Sequence, residues 1–305
     1  MTQPQQPQQP PQLPEDHIPY ARLGQVAQIT KQVTPNVFAE DQHSRVPTYR
    51  GSTHGFVITS DGIVMIDCPM MPTDAIRWRF EIFKLKRGEV RYIINTDSHH
   101  DHTTGNGMFP GIIISSVGVR DTFPNVPAPY TAQQISEIDP GDLHALSFYK
   151  PRPPTITFTE RLTLYCGEHT FECYHLPGHT PHHIGVYCPQ EKVFFAGDNV
   201  TPDSQPVFGV CLPLEWIESL KFMETLDIDW VVGGHGPVGT KQDITAMRLF
   251  LQRCVDETRN AIKKGMTKEQ AIEKLDFESY TGRAVHPGKA TQRRNVGRLY
   301  DMLSK

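Results

Sequence analysis

No apolar run in this chain approaches the roughly 20 residues that cross a bilayer, and no basic stretch followed by an apolar one opens it. Neither a membrane span nor a secretory leader is therefore expected. Positive charge is not in excess: 30 lysines and arginines against 34 aspartates and glutamates leave a formal net charge of −4. That balance gives no electrostatic reason to expect nucleic acid or an anionic membrane as partner. Cysteine is sparse and scattered. Cys68, Cys166, Cys173, Cys188, Cys211 and Cys254 form no CxxC pair, and reduced thiols in a cytoplasmic protein are a simpler reading than disulfides.

What is present suits one globular unit with appendages, since 305 residues at 38% hydrophobic content are ample for a sizeable core. Residues 1–19 are Gln/Pro-rich, offer little to bury, and read as a disordered tail. Residues 20–240 read as a catalytic domain and 241–305 as a helical extension packed on it. Gly55 to Asp67 predicts a hairpin with Asp61-Gly62 at its turn. Thr73 predicts a cap for a helix over 74–87, stopped by Gly88. Strands follow at Val90–Asn95 and Gly111–Ser115, an alternation of α/β type. The proline-rich stretch 121–154 reads as an insertion over one rim of the sheet, with a weak helical signal near Thr131–Ile138.

Beyond it, strands return at Thr155–Phe158, Leu162–Tyr165 and Thr170–His175. A second strand–turn–strand then ends in Asp198, echoing the one that ends in Asp67, and suggests two related sheet halves. Helical spacing marks Pro213–Leu226, the face Ile244, Met247, Leu251, Cys254, Thr258 and Ile262, and about 290–304; Thr267 to Gln270 reads as a capping box. An exposed stripe on these last helices would suit a homodimer.

The chemistry concentrates in Asp97-Ser98-His99-His100-Asp101-His102, directly after the strand at Val90. On an extended segment His99 and Asp101 would share a face, with His102 brought round by the loop. Imidazole and carboxylate at this spacing are zinc ligands by type. Three later stations match them: His179 after Pro177-Gly178, Asp198 after Gly197, and His235 after Gly233-Gly234. Each closes an apolar run beside a glycine, so neighbouring strands would bring their ends to one rim. His182 and His183 read as solvated loop histidines, and His100 as structural.

In this order the motifs resemble those of the metallo-β-lactamase superfamily, over about residues 30–240. The resemblance implies an αββα sandwich with a metal centre at the edge between two sheets. It implies that Asp97, His99 and His179 stand where one metal is held. It also implies that Asp101, His102 and His235 hold another, that Asp198 bridges, and that Asp67 braces the motif loop by hydrogen bonds. One departure matters: the first motif position is normally His, and here it is Asp97. A carboxylate reaches less far than an imidazole nitrogen. One tightly held zinc ion is therefore expected on Asp101, His102, Asp198 and His235, with a second site on Asp97, His99 and His179 weak or vacant. His99 is then free to act as general acid/base beside Asp101; the competing reading keeps both metals, with Asp97 and His99 as ligands.

Zinc lowers the pKa of bound water toward roughly 7 and polarises an electrophile, which supports hydrolysis of a small-molecule substrate. Within the superfamily, Arg50-Gly51-Ser52-Thr53-His54-Gly55-Phe56, the Asp-first motif and the helical C-terminus resemble chlorothalonil dehalogenase-type hydrolases. That implies replacement of aryl chlorine by hydroxyl on an electron-poor ring, with Phe208, Trp216 and Tyr130 as candidate walls. Hydrolysis of a lactone, ester or β-lactam by the same centre is the alternative.

Overall fold

Ile63-Val64-Met65-Ile66 is apolar at every position, the pattern of a strand covered on both faces rather than one. The computed structural model describes residues 30–40, 51–85, 88–124, 132–202, 204–278, 284–285 and 289–304. The proposed tail at 1–19, Arg50 and Tyr130 lie outside them.

The chain opens with strands β1 (Thr30–Gln32), β2 (Val37–Glu40), β3 (His54–Thr59) and β4 (Gly62–Ile66), followed by helix α1 (Pro72–Lys84) and strand β5 (Val90–Ile94). Helix α2 (His100–Thr103) and a 3-10 turn over Thr104–Met108 lead into β6 (Ile112–Ser116) and α3 (Val117–Asp121). Helices α4 (Ala132–Glu137) and α5 (Pro140–Ser147) precede β7 (Ile156–Phe158), β8 (Arg161–Cys166), β9 (His169–His175), β10 (Ile184–Cys188) and β11 (Val193–Gly197). Then come β12 (Ser204–Gln205), α6 (Pro213–Thr225), β13 (Trp230–Gly233) and β14 (Gly239–Thr240). The end is α7 (Lys241–Lys263), α8 (Lys268–Lys274), β15 (Ala284–Val285) and α9 (Lys289–Leu303).

Among the described residues one large sheet runs β1 to β7 in order, a second runs β14-β13-β11-β10-β9-β8, and β12 and β15 form a small parallel pair. The first is antiparallel up to β4 and parallel from β4 to β7. Alternation then sorts the core into layers. Val64 and Ile66 point between the sheets to meet Phe171, Val186 and Phe195. Ile63 and Met65 point the other way, under Trp78 and Ile82 of α1. On the second sheet Phe194 and Val231 face Trp216 and Leu220 of α6 and Met247 and Leu251 of α7. The result is an αββα sandwich, as the resemblance implied. Among the described residues no helix is long and apolar enough to cross a membrane.

Two local expectations need correction. Helix α1 starts at Pro72 with Met71 as N-cap and ends at Lys84, not at 87. Proline suits the first helical position because its missing N–H is an orphan there anyway. Thr73 is instead spent on the neighbouring insertion: its N–H and its hydroxyl both donate to Asp142 of α5, at 2.8 and 2.7 Å. The motif loop is also not extended, because His100–Thr103 closes into a helical turn. His99 and Asp101 therefore do not share a strand face. At the C-terminal end, the capping box on Thr267 and Gln270 forms as read, and α7 runs along the predicted apolar face.

Candidate metal centre

The centre is assembled at the edge where both sheets end. Asp67 leaves β4 with φ of 60°, a left-handed conformation that Asp tolerates better than most residues. That turn aims its carboxylate at the motif loop. Oδ1 accepts the Thr96 N–H at 2.7 Å, and Oδ2 accepts the Thr96 hydroxyl at 2.6 Å and stands 2.9 Å from His102 Nδ1. A proton on Nδ1 answers Asp67, which leaves the Nε2 lone pair for the centre. His235 is oriented the same way, its Nδ1 donating to Gly51 O at 3.0 Å.

A buried amide pair holds the loop from below. Asn95 and Asn106 bond each other at 3.1 and 2.8 Å, and Asn95 Nδ2 donates to His102 O at 3.2 Å. Arg152, near the end of the insertion, donates to the carbonyls of Asn106 and Gly111 at 3.0 and 2.7 Å. Ser52 Oγ donates to Asp101 O at 2.5 Å. None of these supports was identified from sequence, where a polar residue after a strand reads as a turn.

On the opposite sheet, β11 shifts register against β13 between Phe195 and Gly197. Gly197 takes φ of 49°, and a Cβ there would lie 2.5 Å from Thr96 Oγ1 and 2.6 Å from His183 Nε2. Only glycine lets the two sheet ends approach so closely. The irregularity delivers Asp198 into the centre.

The structure sorts the metal-capable side chains into two groups, each with donor atoms within 4.8 Å of one another: Asp97, His99, His179 and Asp198 in one, and Asp101, His102 and His235 in the other. Asp198 spans both. Its Oδ1 lies 3.3 Å from His102 Nε2 and 3.4 Å from His235 Nε2, and its Oδ2 lies 3.2 Å from His179 Nε2. Asp101 Oδ2 is 3.2 Å from His235 Nε2 and 3.8 Å from His102 Nε2. His99 Nδ1 is 3.3 Å from His179 Nε2 and 2.9 Å from Asp97 Oδ2.

These residues fit a divalent cation. His102 Nε2, Asp198 Oδ1 and Asp97 Oδ2 are buried and make no aligned hydrogen bond, although charged neighbours stand within 3.4 Å of each. Donor atoms that converge without bonding one another need another partner. The electrostatics agree. Burial would lower the His102 and His235 rings, but the surrounding carboxylates outweigh it, holding His102 well above its ordinary range and His235 at about 10. The Asp97 carboxylate beside His99 raises that ring to about 9. Burial pushes Asp198 up, yet His235, His102 and His179 hold it well below the usual carboxylate range. Clustered carboxylates draw positive charge here, which an ion would supply in place of protons.

Several sequence-based expectations need revision. His183 is not solvated: it has no exposed surface, neither ring nitrogen finds a partner, and burial pushes its pKa down to about 3. His182 is half-buried, its ring packed against Gly118. Phe208 and Trp216 are 1% and 0% exposed, so both are core and neither walls a substrate.

The profile of the metallo-beta-lactamase superfamily matches residues 48–235. A curated relative, the metallo-beta-lactamase type 2 of Elizabethkingia meningoseptica, is 26% identical over 198 residues, 62% of this chain and 72% of that protein. A metallo-beta-lactamase from Pontibacter korlensis superposes with a TM-score of 0.55 at 22% identity, covering 73% of this chain and 98% of that one. The DIM-1 metallo-beta-lactamase gives 0.56 at 18% identity, covering 73% and 96%. With the fold and the clustered His and Asp side chains already described, the chain belongs to the metallo-beta-lactamase superfamily, whose members are metal-dependent hydrolases.

Proposed function

We propose that this chain is a zinc-dependent hydrolase acting on a compact, electron-poor chlorinated aromatic, whose ring chlorine it replaces with hydroxyl. The observation that carries the reading is the setting of His99. Its side chain is 42% exposed, against 0% for His102, 6% for His179 and 20% for His235. It is the open imidazole of the centre, and Asp97 stands at its Nδ1 where the family normally has a further histidine.

When bound, zinc supplies Lewis acidity and lowers the pKa of water toward roughly 7. Asp101, His102, Asp198 and His235 are the residues to hold it, with Asp97, His99 and His179 beside them. Asp67 and the Gly51 carbonyl keep the lone pairs of His102 and His235 turned inward. Asp97 accepts the His99 backbone N–H at 2.8 Å through Oδ1 and places Oδ2 2.9 Å from the ring Nδ1. In its neutral form, with the Nδ1 proton turned to Asp97, His99 takes the proton of the attacking water at its other ring nitrogen as the water oxygen bonds to the ring carbon, and chloride leaves with the electron pair of the carbon–chlorine bond. One water and one aryl chloride give one phenol, one proton and one chloride.

The substrate class rests on the stretch Gly51 to Phe56 with the Asp-first motif. Those residues also brace the centre, Gly51 at His235 and Ser52 at Asp101. The test is chloride release from a chlorinated aromatic nitrile, run beside acid release from a lactone and from a chromogenic β-lactam, the substrate class named by the bacterial relatives. Chloride should appear, and H99A should slow its release about 10²- to 10⁴-fold at unchanged metal content. Turnover of the lactone or β-lactam with no chloride would replace this reading by the other.

A further inference from the structure

Asn199 directly follows Asp198 and has no exposed surface. Its amide is used at both ends on the turn that carries His179. Oδ1 accepts the His179 N–H at 2.8 Å, and Nδ2 donates to Leu176 O at 2.8 Å. Its backbone carbonyl accepts Trp216 Nε1–H at 3.0 Å, and the Trp216 ring stands edge-on to His179 at 5.7 Å.

Other backbone groups of the turn are also bonded. Ser219 Oγ donates to Pro177 O at 2.8 Å, Leu212 N to Gly178 O at 2.8 Å, and Gly178 N to Thr180 O at 3.0 Å. Space is equally committed: a Cβ on Gly178 would lie 2.4 Å from Asn199 Oδ1 and 2.8 Å from the Trp216 ring. An amide carries its acceptor and its donor on separate atoms, so one side chain can bond two backbone groups that stand apart.

We infer that Asn199 is a positioning residue for His179, fixing the backbone that carries that ring beside Asp198 and His99 before any cation arrives. The inference rests on the reading that the centre binds a cation through His179. A ligand held in place beforehand loses less freedom when the ion binds, so the clamp raises affinity without touching the ion.

The test is a titration of metal-free full-length chain with Co²⁺, followed by heat and by the visible absorption of the bound ion. The variants are N199A, G178A, H179A and N199A/H179A, with circular dichroism as the check on folding. N199A removes the clamp, and G178A wedges it apart from the other side. Both should weaken Co²⁺ binding about 10- to 100-fold and move the absorption bands toward those of H179A. The double variant should bind no more weakly than H179A alone, since residues acting through one another are not additive. N199A with wild-type affinity and spectrum, or effects of N199A and H179A that simply add, would overturn the inference. Unchanged binding in H179A would overturn the ligand reading itself, and the clamp with it. If N199A and G178A both fail to fold, W216F carries the test. It deletes the Nε1 donor to the Asn199 carbonyl, along with part of the buried indole, and should shift affinity in the same direction; no shift refutes the clamp.

Discussion

Asp67→Asn isolates what the carboxylate behind the motif loop contributes, because Asn tolerates the left-handed φ of 60° that Asp67 occupies. The amide has one oxygen and one NH₂ where the carboxylate had two acceptors. Turning NH₂ toward the Thr96 N–H would oppose two donors, at about 1–3 kcal/mol, so the oxygen stays on that side. The NH₂ then faces the Thr96 hydroxyl, which can rotate to accept, and His102 Nδ1, which stands 2.9 Å from the present carboxylate. For Nδ1 to accept, the ring proton must move to Nε2. The nitrogen that faces Asp198 at 3.3 Å then becomes a donor and no longer offers a lone pair. Loss of charge-assisted bonds should cost about 1–2 kcal/mol of stability, a few degrees in Tm. Loss of the ligand tautomer should cost about 10- to 100-fold in Zn²⁺ affinity, read by competition with a chromogenic chelator. Asp67→Ala is the poorer probe. It strands three buried donors and should cost about 3–6 kcal/mol, a large part of the roughly 5–15 kcal/mol that holds a domain together. D67N with wild-type zinc affinity would refute the tautomer argument.

Other perturbations follow from named contacts. Asp97→His should raise the number of tightly bound zinc ions per chain by one in metal analysis; an unchanged count of two would show that Asp97 already serves as a ligand. Burial pushes Glu191 up, but bonds from His169, Thr34 and Asn36 more than offset it and hold the carboxyl below its ordinary value. Its stabilising contribution is therefore complete above the ordinary glutamate range and is lost as pH falls through the lowered value. E191Q should cost about 1–3 kcal/mol at neutral pH and flatten that acid limb of a Tm–pH curve, whereas a curve parallel to wild type would contradict the assignment. Leu251→Ala in α7, at a side chain 1% exposed, should cost about 2–5 kcal/mol. Calorimetry should still show one transition, as expected if the C-terminal helices and the sheets form one cooperative unit.

The layers were legible because burial imposes period on sequence. Ile63 to Ile66 and Val193 to Ala196 are apolar at successive positions only where both faces are covered. The stations His179, Asp198 and His235 were legible for a related reason: each interrupts an apolar run beside a glycine, where a strand ends and another group must approach. Turns were harder. His100–Thr103 folds as a helical turn through backbone bonds that leave no hydrophobic pattern, so its side chains were assigned to the wrong faces. The supports formed by Asn95, Asn106, Arg152 and Asn199 were invisible for a different reason, since an amide or guanidinium bonding a distant carbonyl carries no local signature. His183 shows the same limit. Beside His182 in a polar stretch it reads as solvated, yet Gly197 brings the opposing sheet end down on its ring.

The number of ions in the centre and the role of His99 are one question, because both turn on the same nitrogen. His99 Nδ1 faces Asp97 Oδ2 at 2.9 Å and His179 Nε2 at 3.3 Å. Carrying a proton, that nitrogen satisfies the Asp97 carboxylate, and the other ring nitrogen is left to exchange protons with water or substrate. Stripped of the proton, it can ligate an ion, but Asp97 Oδ2 must then ligate too, since that buried oxygen facing a lone pair would otherwise have no partner. Asp198 does not decide between these states, as one of its oxygens serves each group. His179 does not decide either, since its Nε2 faces both Asp198 and His99. Asp97 does. A histidine in its place abolishes the charge that favours the proton on His99 Nδ1 and adds a neutral donor of longer reach. Both changes favour a second ion, and both remove His99 from proton transfer. D97H should therefore gain an ion and lose turnover together, and a variant that gained the ion while keeping full chloride release would break the link between them.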